Sequence, residues 1–368
     1  MSMVWFIVVT ILMILVQSFI FTKWGLTKVN YTRYFNKEAV FPGELFELVD
    51  EVSNRKLLPL PWLRLESKVS SNLQFTKKQD QLVVEDSEEY HRTLFSLSPF
   101  EKVTRRHMVA CRKRGYYQLK TVSLTLGDIV GFNEKAEAID AKATIIVYPE
   151  LVEIEEIPLP SHSWLGDLLV KRWIIQDPFV TAGVRQYTYG DPLNSVNWNA
   201  TARTGQLQVS KRDFTADHHL MIYLNFDETE DIWMPILNPE LIETGISYAA
   251  SIATLTLSRG IRTGFGCNSY LVDQANSDIK QAIRIEPHHS TDQLTYLYEN
   301  MAKLAMDRSM NFPRFLKEEA ENLYNTDILM ISAIMSPAIE EVIKQIETQG
   351  SKVEVLLLAQ ETGEQHGK

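Results

Sequence analysis

Cysteine is nearly missing from this 368-residue chain: only Cys111 and Cys267 occur, far apart in sequence. Their scarcity excludes a disulfide framework and suits a reducing compartment. No Gly-rich phosphate loop occurs either, which sets aside a P-loop nucleotide site. Positive charge is in deficit, with 37 Lys and Arg against 47 Asp and Glu and a formal charge of -10. A general nucleic-acid binder needs clustered cations to displace counterions from phosphates, so no nucleic-acid partner is expected. The one dense basic stretch is Arg105-Arg106-His107 with Arg112-Lys113-Arg114. It alternates with apolar residues and reads as a solvated strand face and turn, or else as a patch facing anionic lipid.

Long apolar runs are scarce too, with one exception. From Val4 to Phe21 only Thr10, Gln17 and Ser18 interrupt, about the length needed to cross a bilayer as a helix. Trp5 and Trp24 bracket it as interfacial anchors. No Lys or Arg precedes Val4 and no small-residue cleavage site follows Phe21, so an uncleaved anchor over residues 1–24 is preferred to a signal peptide. Lys23, Lys28, Arg33 and Lys37 follow the span. By the positive-inside bias this expects a single-pass protein of the cell membrane with its soluble domains in the cytoplasm.

Short strand-like runs come next: Glu44 to Val52, Trp62 to Val69, Gln81 to Glu85, Tyr90 to Leu97, Val103 to Ala110, Tyr116 to Leu126 and Thr144 to Tyr148. No long helical period separates them, which expects an immunoglobulin-like β-sandwich over residues 30–150. Leu151 to Pro160 is acidic and Pro-punctuated, as a linker is, and residues 151–218 form a connecting region. Within it, Ser161 to Phe179 fits either a helical turn through Trp164, Leu165, Leu168 and Leu169 or a loop.

Over residues 219–360 the period changes. Strands at His219–Phe226, Arg262–Cys267, Lys280–Ile285, Asp327–Ser332 and Val353–Leu358 alternate with helices. The helices are Pro239–Arg259, one opened by Ser290 and Gln293 and ending near Ala305, Phe312–Tyr324, and one from Ser336-Pro337 to near Gly350. This pattern expects an open, mainly parallel sheet with helices on both faces, making the whole an α+β multidomain chain. Residues 361–368 are a polar tail.

The connecting region holds the most specific run, Arg185-Gln-Tyr-Thr-Tyr-Gly190-Asp191-Pro-Leu-Asn-Ser-Val-Asn-Trp198-Asn-Ala-Thr201-Ala-Arg203-Thr-Gly205. Asp191 can cap a short helix, Pro192 suits its first position and Gly205 its left-handed stop. Leu193, Val196 and Ala200 then share one face. The residues allow two readings: a buried or half-buried ion network of Arg185, Asp191 and Arg203 that locks the helix to neighbouring strands, or a docking or anion site.

The run resembles the central motif of the bacterial domain-of-unknown-function family 58, whose pattern is roughly R-x-Y-x-x-G-D-x-x-x-x-I-x-W-x-x-T-A-R-x-G. The family carries basic or His residues where this chain has Asn194, Asn197 and Asn199. The resemblance extends through Pro42-Gly43-Glu44, Pro59-Leu60-Pro61-Trp62, Arg114-Gly115-Tyr116-Tyr117, Gly127-Asp128 and Val147-Tyr148-Pro149. It implies a membrane-anchored, non-catalytic adaptor or scaffold that works with a MoxR-type AAA+ ATPase, and with other membrane or envelope proteins, in envelope-related assembly or maturation. The signature and partner-binding positions would be Arg185, Gly190, Asp191, Trp198, Thr201 and Arg203.

The α/β region resembles the von Willebrand factor A fold, in a degenerate form. There a D-x-S-x-S loop after the first strand holds a divalent cation; here Asp227, Thr229 and Asp231 stand in a D-x-T-x-D pattern. They would offer oxygen ligands to Mg or Mn, as hard cations accept. The loop Ala333-Ile334-Met335-Ser336 brings no carboxylate to complete the set, and the plain alternative is a solvated acidic loop with Asp227 capping a strand end. Two further readings stay open: a metal-dependent ligand-binding or adhesion protein using that loop, and an unrecognised hydrolase. For the latter Cys267 has His288 and His289 some twenty residues later, but an apolar strand end is an ordinary place for a small thiol. The pairs His218-His219 and His288-His289 sit at strand edges, where neighbours point to opposite faces and rarely share a metal.

Overall fold

Apolar side chains at every second position turn the first half of the chain into sheet, and the computed structural model shows how those strands pair. It describes residues 2–76, 81–85, 88–127, 134–159, 181–188, 195–212, 219–230, 234–274, 279–288, 290, 292–321, 323 and 326–358. Its contacts divide the chain into two compact units, Met1–Glu150 with Tyr298–Leu304, and Leu151–Leu297 with Ala305–Lys368.

The first unit opens with helix α1 (Ser2–Trp24), of which Met3–Trp24 is long and apolar enough to cross a membrane. Strands β1 (Val29–Phe35), β2 (Ala39–Val40), β3 (Leu45–Asn54), β4 (Leu60–Val69), β5 (Leu73–Phe75), β6 (Gln81–Glu85), β7 (Glu88–Leu97), β8 (Lys102–Cys111), β9 (Gly115–Gly127) and β10 (Glu134–Val147) follow. They form a four-stranded sheet β1-β3-β8-β5 and a six-stranded sheet β2-β10-β9-β4-β7-β6. All pairings are antiparallel except β10 with β2. Strand β1 lies in the span's basic flank, where the expected strands had not begun, and β10 starts ten residues before the expected Thr144.

The inward positions of β3 are Phe46, Leu48, Asp50, Val52 and Asn54, so a charged side chain sits in mid-core. On either side lie apolar clusters, one around Leu60, Leu63, Val122 and Leu124, the other around Phe46, Leu48, Val109 and Ile145. Arg33, directly opposite Asp50 in the β1/β3 ladder, answers the charge with Nε at 2.6 Å from Oδ1 and Nη2 at 3.1 Å from Oδ2. Tyr31 Oη also donates to Asp50 Oδ1 at 2.6 Å, Arg33 Nη1 to Ser67 Oγ at 2.7 Å, and His107 Nε2 stands 3.5 Å from Asp50 Oδ2. Burial alone would push the Asp50 carboxyl up. The hydrogen bond from His107 and the charge and donors of Arg33, with Tyr31, reverse that and hold it well below the usual carboxylate range. Arg33 is therefore core, not a flanking charge of the span, and His107 does not belong to a solvated basic face.

The end of α1 is built into this sandwich. Phe21 and Leu26 are members of the cluster around Leu60 and Leu126, and a Cβ at Gly25 would lie 2.4 Å from Leu126 Cδ2. Lys56 Nζ donates to the carbonyls of Gly25 at 2.5 Å and Thr27 at 2.8 Å, satisfying acceptors that a helix end leaves open. Burial brings the Lys56 amine down to about 8.

In the second unit, β11 (Thr181–Gln186) pairs antiparallel with β12 (Gln208–Arg212), and α2 (Trp198–Thr204) lies between them in sequence. Then come β13 (His219–Leu224), α3 (Pro239–Ser258), β14 (Arg262–Cys267), β15 (Ile283–His288), α4 (Gln293–Ala302), whose residues from Tyr298 on belong to the first unit, α5 (Phe312–Ala320), β16 (Asp327–Ser332), α6 (Pro337–Thr348) and β17 (Lys352–Leu357). The sheet order is β15-β14-β13-β16-β17, parallel throughout except for β15 at the edge. Helix α3 covers one face, with Gly245 close enough to Leu224 and Ile331 that a Cβ would lie 2.8 and 3.6 Å from their side chains. Phe312, Phe315 and Leu316 of α5 and Ile339, Val342 and Ile346 of α6 cover the other, against Met221, Tyr223 and Met330. Gly264 and Gly266 leave β14 bare so that Met221 and the Tyr223 ring can lie across it.

Candidate functional site

Successive strands step from β13 outward to β14 and then back past β13 to β16, so the switch point of the sheet is the carboxyl end of β13. Asp227 is there, 3% exposed. Three amide or hydroxyl side chains tie the ends of β13, β14 and β16 around it. Asn225 Oδ1 accepts from Asp227 N at 2.8 Å, and Asn225 Nδ2 donates to Ser332 Oγ at 2.9 Å. Asn268 Oδ1 accepts from Phe226 N at 2.9 Å, while its Nδ2 donates to Asp227 Oδ1 and Met310 O, both at 3.0 Å.

The Asp227 carboxylate receives two more donors. Phe312 N, at the start of α5, donates to Oδ2 at 2.8 Å, and Arg308 Nη1 lies 3.5 Å from Oδ1. Arg308 also donates through Nη2 to Met234 O. Burial pushes the Asp227 carboxyl up; the Phe312 amide, the Arg308 charge and the Asn268 amide oppose it without cancelling it.

A cleft of about 390 Å³ opens above this floor. Asp227, Thr229 and Glu230 line one side and the first residues of α5 and α6 the other. Both helices start there for reasons legible in sequence: Asn311 Oδ1 accepts from Arg314 N at 3.3 Å, Ser336 Oγ from Ile339 N at 3.4 Å, and each helix has a Pro in its first turn. Of the three expected metal ligands, Asp227 and Thr229 thus meet at one cleft, and Asp231 lies outside the described residues. Glu228 faces away, its two oxygens accepting from Leu237 N at 2.5 Å and Asn238 N at 2.8 Å to fix the start of α3.

In the described donor set the Asp227 carboxylate is already engaged from within the protein. A carboxylate has about four lone-pair sites, and three at Asp227 already face Phe312 N, Asn268 and Arg308. Arg308 further supplies, from inside the protein, a positive charge of the kind a cation would bring. Among the described residues no group of three or more His, Cys, Asp and Glu gathers. Asn225, Asn268 and Arg308 were not singled out in sequence for this role. The available signal was an amide residue placed directly after an apolar strand, twice, each at a carboxyl end.

The signature run is described on either side of residues 189–194. Helix α2 begins at Trp198, with Asn197 Oδ1 accepting from Ala200 N at 3.0 Å, rather than at Asp191-Pro192. Gly190, Asp191 and Pro192 lie outside the described residues. Gly205 does close the helix in the left-handed region at φ 70. Arg185 is exposed and donates to Gln186 O at 3.3 Å and Thr188 Oγ1 at 3.1 Å, and Arg203 is exposed. Trp198 is 68% exposed, with Val184 at 48% and Leu207 at 43% in the same module. Thr201 does the structural work, its hydroxyl accepting from Gln208 N at 3.0 Å to hold α2 to β12.

The Cys-His idea fails on register. Cys267 is buried opposite Ile283 whereas His288 is opposite Thr263, so the two are roughly 15 Å apart along the ladder. His218 and His289 lie outside the described residues.

Residues 183–322 match the family model described as protein of unknown function DUF58. The match covers the exposed α2 module and the side of the cleft made by Asp227, Thr229, Glu230, Asn311 and Pro313. Over 365 residues the chain is 20% identical to the uncharacterized protein YeaD of Bacillus subtilis (strain 168), spanning 98% of this chain and 83% of that one. Among solved structures it is similar to the CARDB domain of the PF1109 protein from Pyrococcus furiosus, at 14% identity over 32% of this chain and 94% of that chain, TM-score 0.20. A non-cellulosomal cohesin from Archaeoglobus fulgidus is 12% identical over 34% of this chain and 94% of that chain, TM-score 0.22.

Proposed function

We propose that this protein is a membrane-anchored, non-catalytic adaptor whose signature module docks a protein partner, a MoxR-type AAA+ ATPase, on the cytoplasmic side of the membrane. The observation that carries the reading is the exposure of Trp198 and Arg203 on a short helix whose local structure needs neither. A large aromatic and a guanidinium on one short helix, both left in water, have the composition of an interface anchor. The cleft supports binding over chemistry, since the one buried carboxylate among its described residues is held by three internal donors. The strand order, with its antiparallel edge strand β15, supports reading the second unit as a degenerate von Willebrand factor A-like domain that has exchanged a bound cation for Arg308.

The test is capture of the detergent-solubilised, tagged full chain with and without ATP, for the parent, Trp198→Ala and Arg203→Ala. A Trp anchor at the centre of an interface is worth about 2 kcal/mol or more, roughly a thirtyfold loss of affinity. The expected result is nucleotide-dependent recovery of a AAA+ ATPase that both variants lose while keeping the parent's melting temperature. Folded parent protein that recovers no such ATPase in either state overturns the proposal, as does undiminished recovery by both variants.

A further inference from the structure

The loop joining β3 to β4 and the turn before β8 meet beside the end of α1. Phe100 N donates to Lys56 O at 3.3 Å, Arg55 N to Lys28 O at 3.0 Å, and Lys56 reaches back to the carbonyls of Gly25 and Thr27. This end of the sandwich leaves two large apolar side chains in water, Leu57 at 78% and Phe100 at 68% exposure, next to Trp24 at 47%. Phe100 is held at φ 57, where a side chain pays a steric cost, by a turn in which Glu101 accepts from Ser98 N at 2.6 Å. The turn therefore spends strain on presenting an aromatic ring outward. Arg55 and Lys102 line the same surface as the ring and Lys28 is tied to Arg55 through its carbonyl. Lys102 pairs with Glu51 at 2.7 Å and Glu101, accepting from the Ser98 amide, keeps its charge, so three cations against two acids leave a small positive excess.

The height of this patch is fixed by α1. Phe21 is packed in the sandwich core while Phe19, two residues earlier, is 62% exposed, so apolar helix surface and sandwich share one level. Lys23 Nζ lies 5.8 Å over the Phe19 ring and 5.4 Å over the Trp24 ring, the arrangement of an interfacial belt. A helix that crosses the bilayer there brings Leu57 and Phe100 to the headgroup layer.

We propose that Leu57 and Phe100, flanked by Lys28, Arg55 and Lys102, form a second contact with the membrane that holds α1, dipping into the interface of anionic phospholipid. This rests on the membrane anchoring of the preceding section. Aromatic and aliphatic side chains supply the apolar part, and the cations meet lipid phosphates within a Debye length of the surface. Because Lys56 and Phe21 tie α1 to the sandwich, the contact fixes the orientation of this unit on the membrane instead of leaving it on a swivel.

The experiment uses the full chain in vesicles of phosphatidylcholine with or without phosphatidylglycerol. An environment-sensitive fluorophore is placed through Leu57→Cys or Phe100→Cys, with Cys111 and Cys267 buried. Lys113→Cys, past the far end of β8 and so about 30 Å away along the strand, is the reference. Co-flotation with the vesicles reads the anchor, and quenching by a lipid spin-labelled near its headgroup reads the contact. Strong quenching and a blue shift at positions 57 and 100 but not 113, deeper with phosphatidylglycerol, are expected. Floating protein whose labels at 57 and 100 behave like that at 113 overturns the contact while leaving the anchor standing. Failure to float overturns both, and quenching equal in the two vesicle types overturns the part assigned to anionic headgroups.

Discussion

Replacing Arg308 by Met tests whether Asp227 is a structural carboxylate held by an internal cation. The side chains are 9% and 4% exposed and lie 3.5 Å apart, so the substitution keeps most of the stem's volume and strips the charge from a nearly dry pair. Breaking such a pair from one side costs about 3–5 kcal/mol; since Phe312 N and Asn268 still hold the carboxylate, the lower end applies. At roughly 2–4 °C per kcal/mol for a unit of this size, the melting temperature of the second unit should fall by about 10 °C. The pH dependence carries the sign. Burial already raises the Asp227 carboxyl, so folding favours its protonated form, and stability falls as pH rises from the unfolded value through the folded one. Without Arg308 the rise is larger, so the deficit of the variant should shrink as pH falls through the raised folded values of variant and parent, above the ordinary carboxylate value of about 4, and level off below it, where both folded proteins carry the proton. Thermal unfolding of parent and Arg308→Met side by side across that range cancels every other titrating group. A deficit under about 1 kcal/mol, or one that does not change with pH, would refute the reasoning.

Three further outcomes follow from other parts of the fold. Asp50→Ala leaves Arg33 buried without its carboxylate and should cost about 3–5 kcal/mol in unfolding of the first unit. Because Asp50 is held low, the lost stability is that present above about pH 4 and already fading below it, so acid titration of parent and variant should converge. Gly264→Ala should destabilise more than Gly266→Ala, since its Cβ would meet the Ile285 carbonyl oxygen at 2.5 Å, whereas the nearest atom at Gly266 is a Tyr223 ring carbon at 2.7 Å; denaturant midpoints in the reverse order would contradict this. Lys56→Met should speed amide exchange between residues 25 and 29 while the sandwich strands keep their protection, and unchanged exchange would show that the lysine does not hold the helix end.

How much of this was legible in the chain depended on whether the signal was periodic or paired. The apolar span, the strand runs from Glu44 to Leu126, and the cap Ser336 express local rules, and each lies within a few residues of where period and composition put it. So does the alternation of strand and helix after His219. Strand β1 escaped because Arg33 reads as a flanking charge until its partner, seventeen residues on, is seen to be buried with it. In the signature run the charges left two readings open in sequence, and exposure was not legible there: Arg185, Trp198 and Arg203 are exposed, while Asp191 lies outside the described residues.

The sequence by itself determined that this chain carries a membrane-length helix, a sheet-rich first part and an alternating second part, because those follow from hydrophobic period and turn chemistry over short distances. Only the tertiary structure decided which donors Asp227 meets. Its loop reads in sequence as a set of oxygen ligands, and the donors that occupy it arrive from Asn268, Arg308 and Phe312, 41 to 85 residues away. Electrostatic partnership across such separations is set by how strands and helices pack, and no local pattern records it.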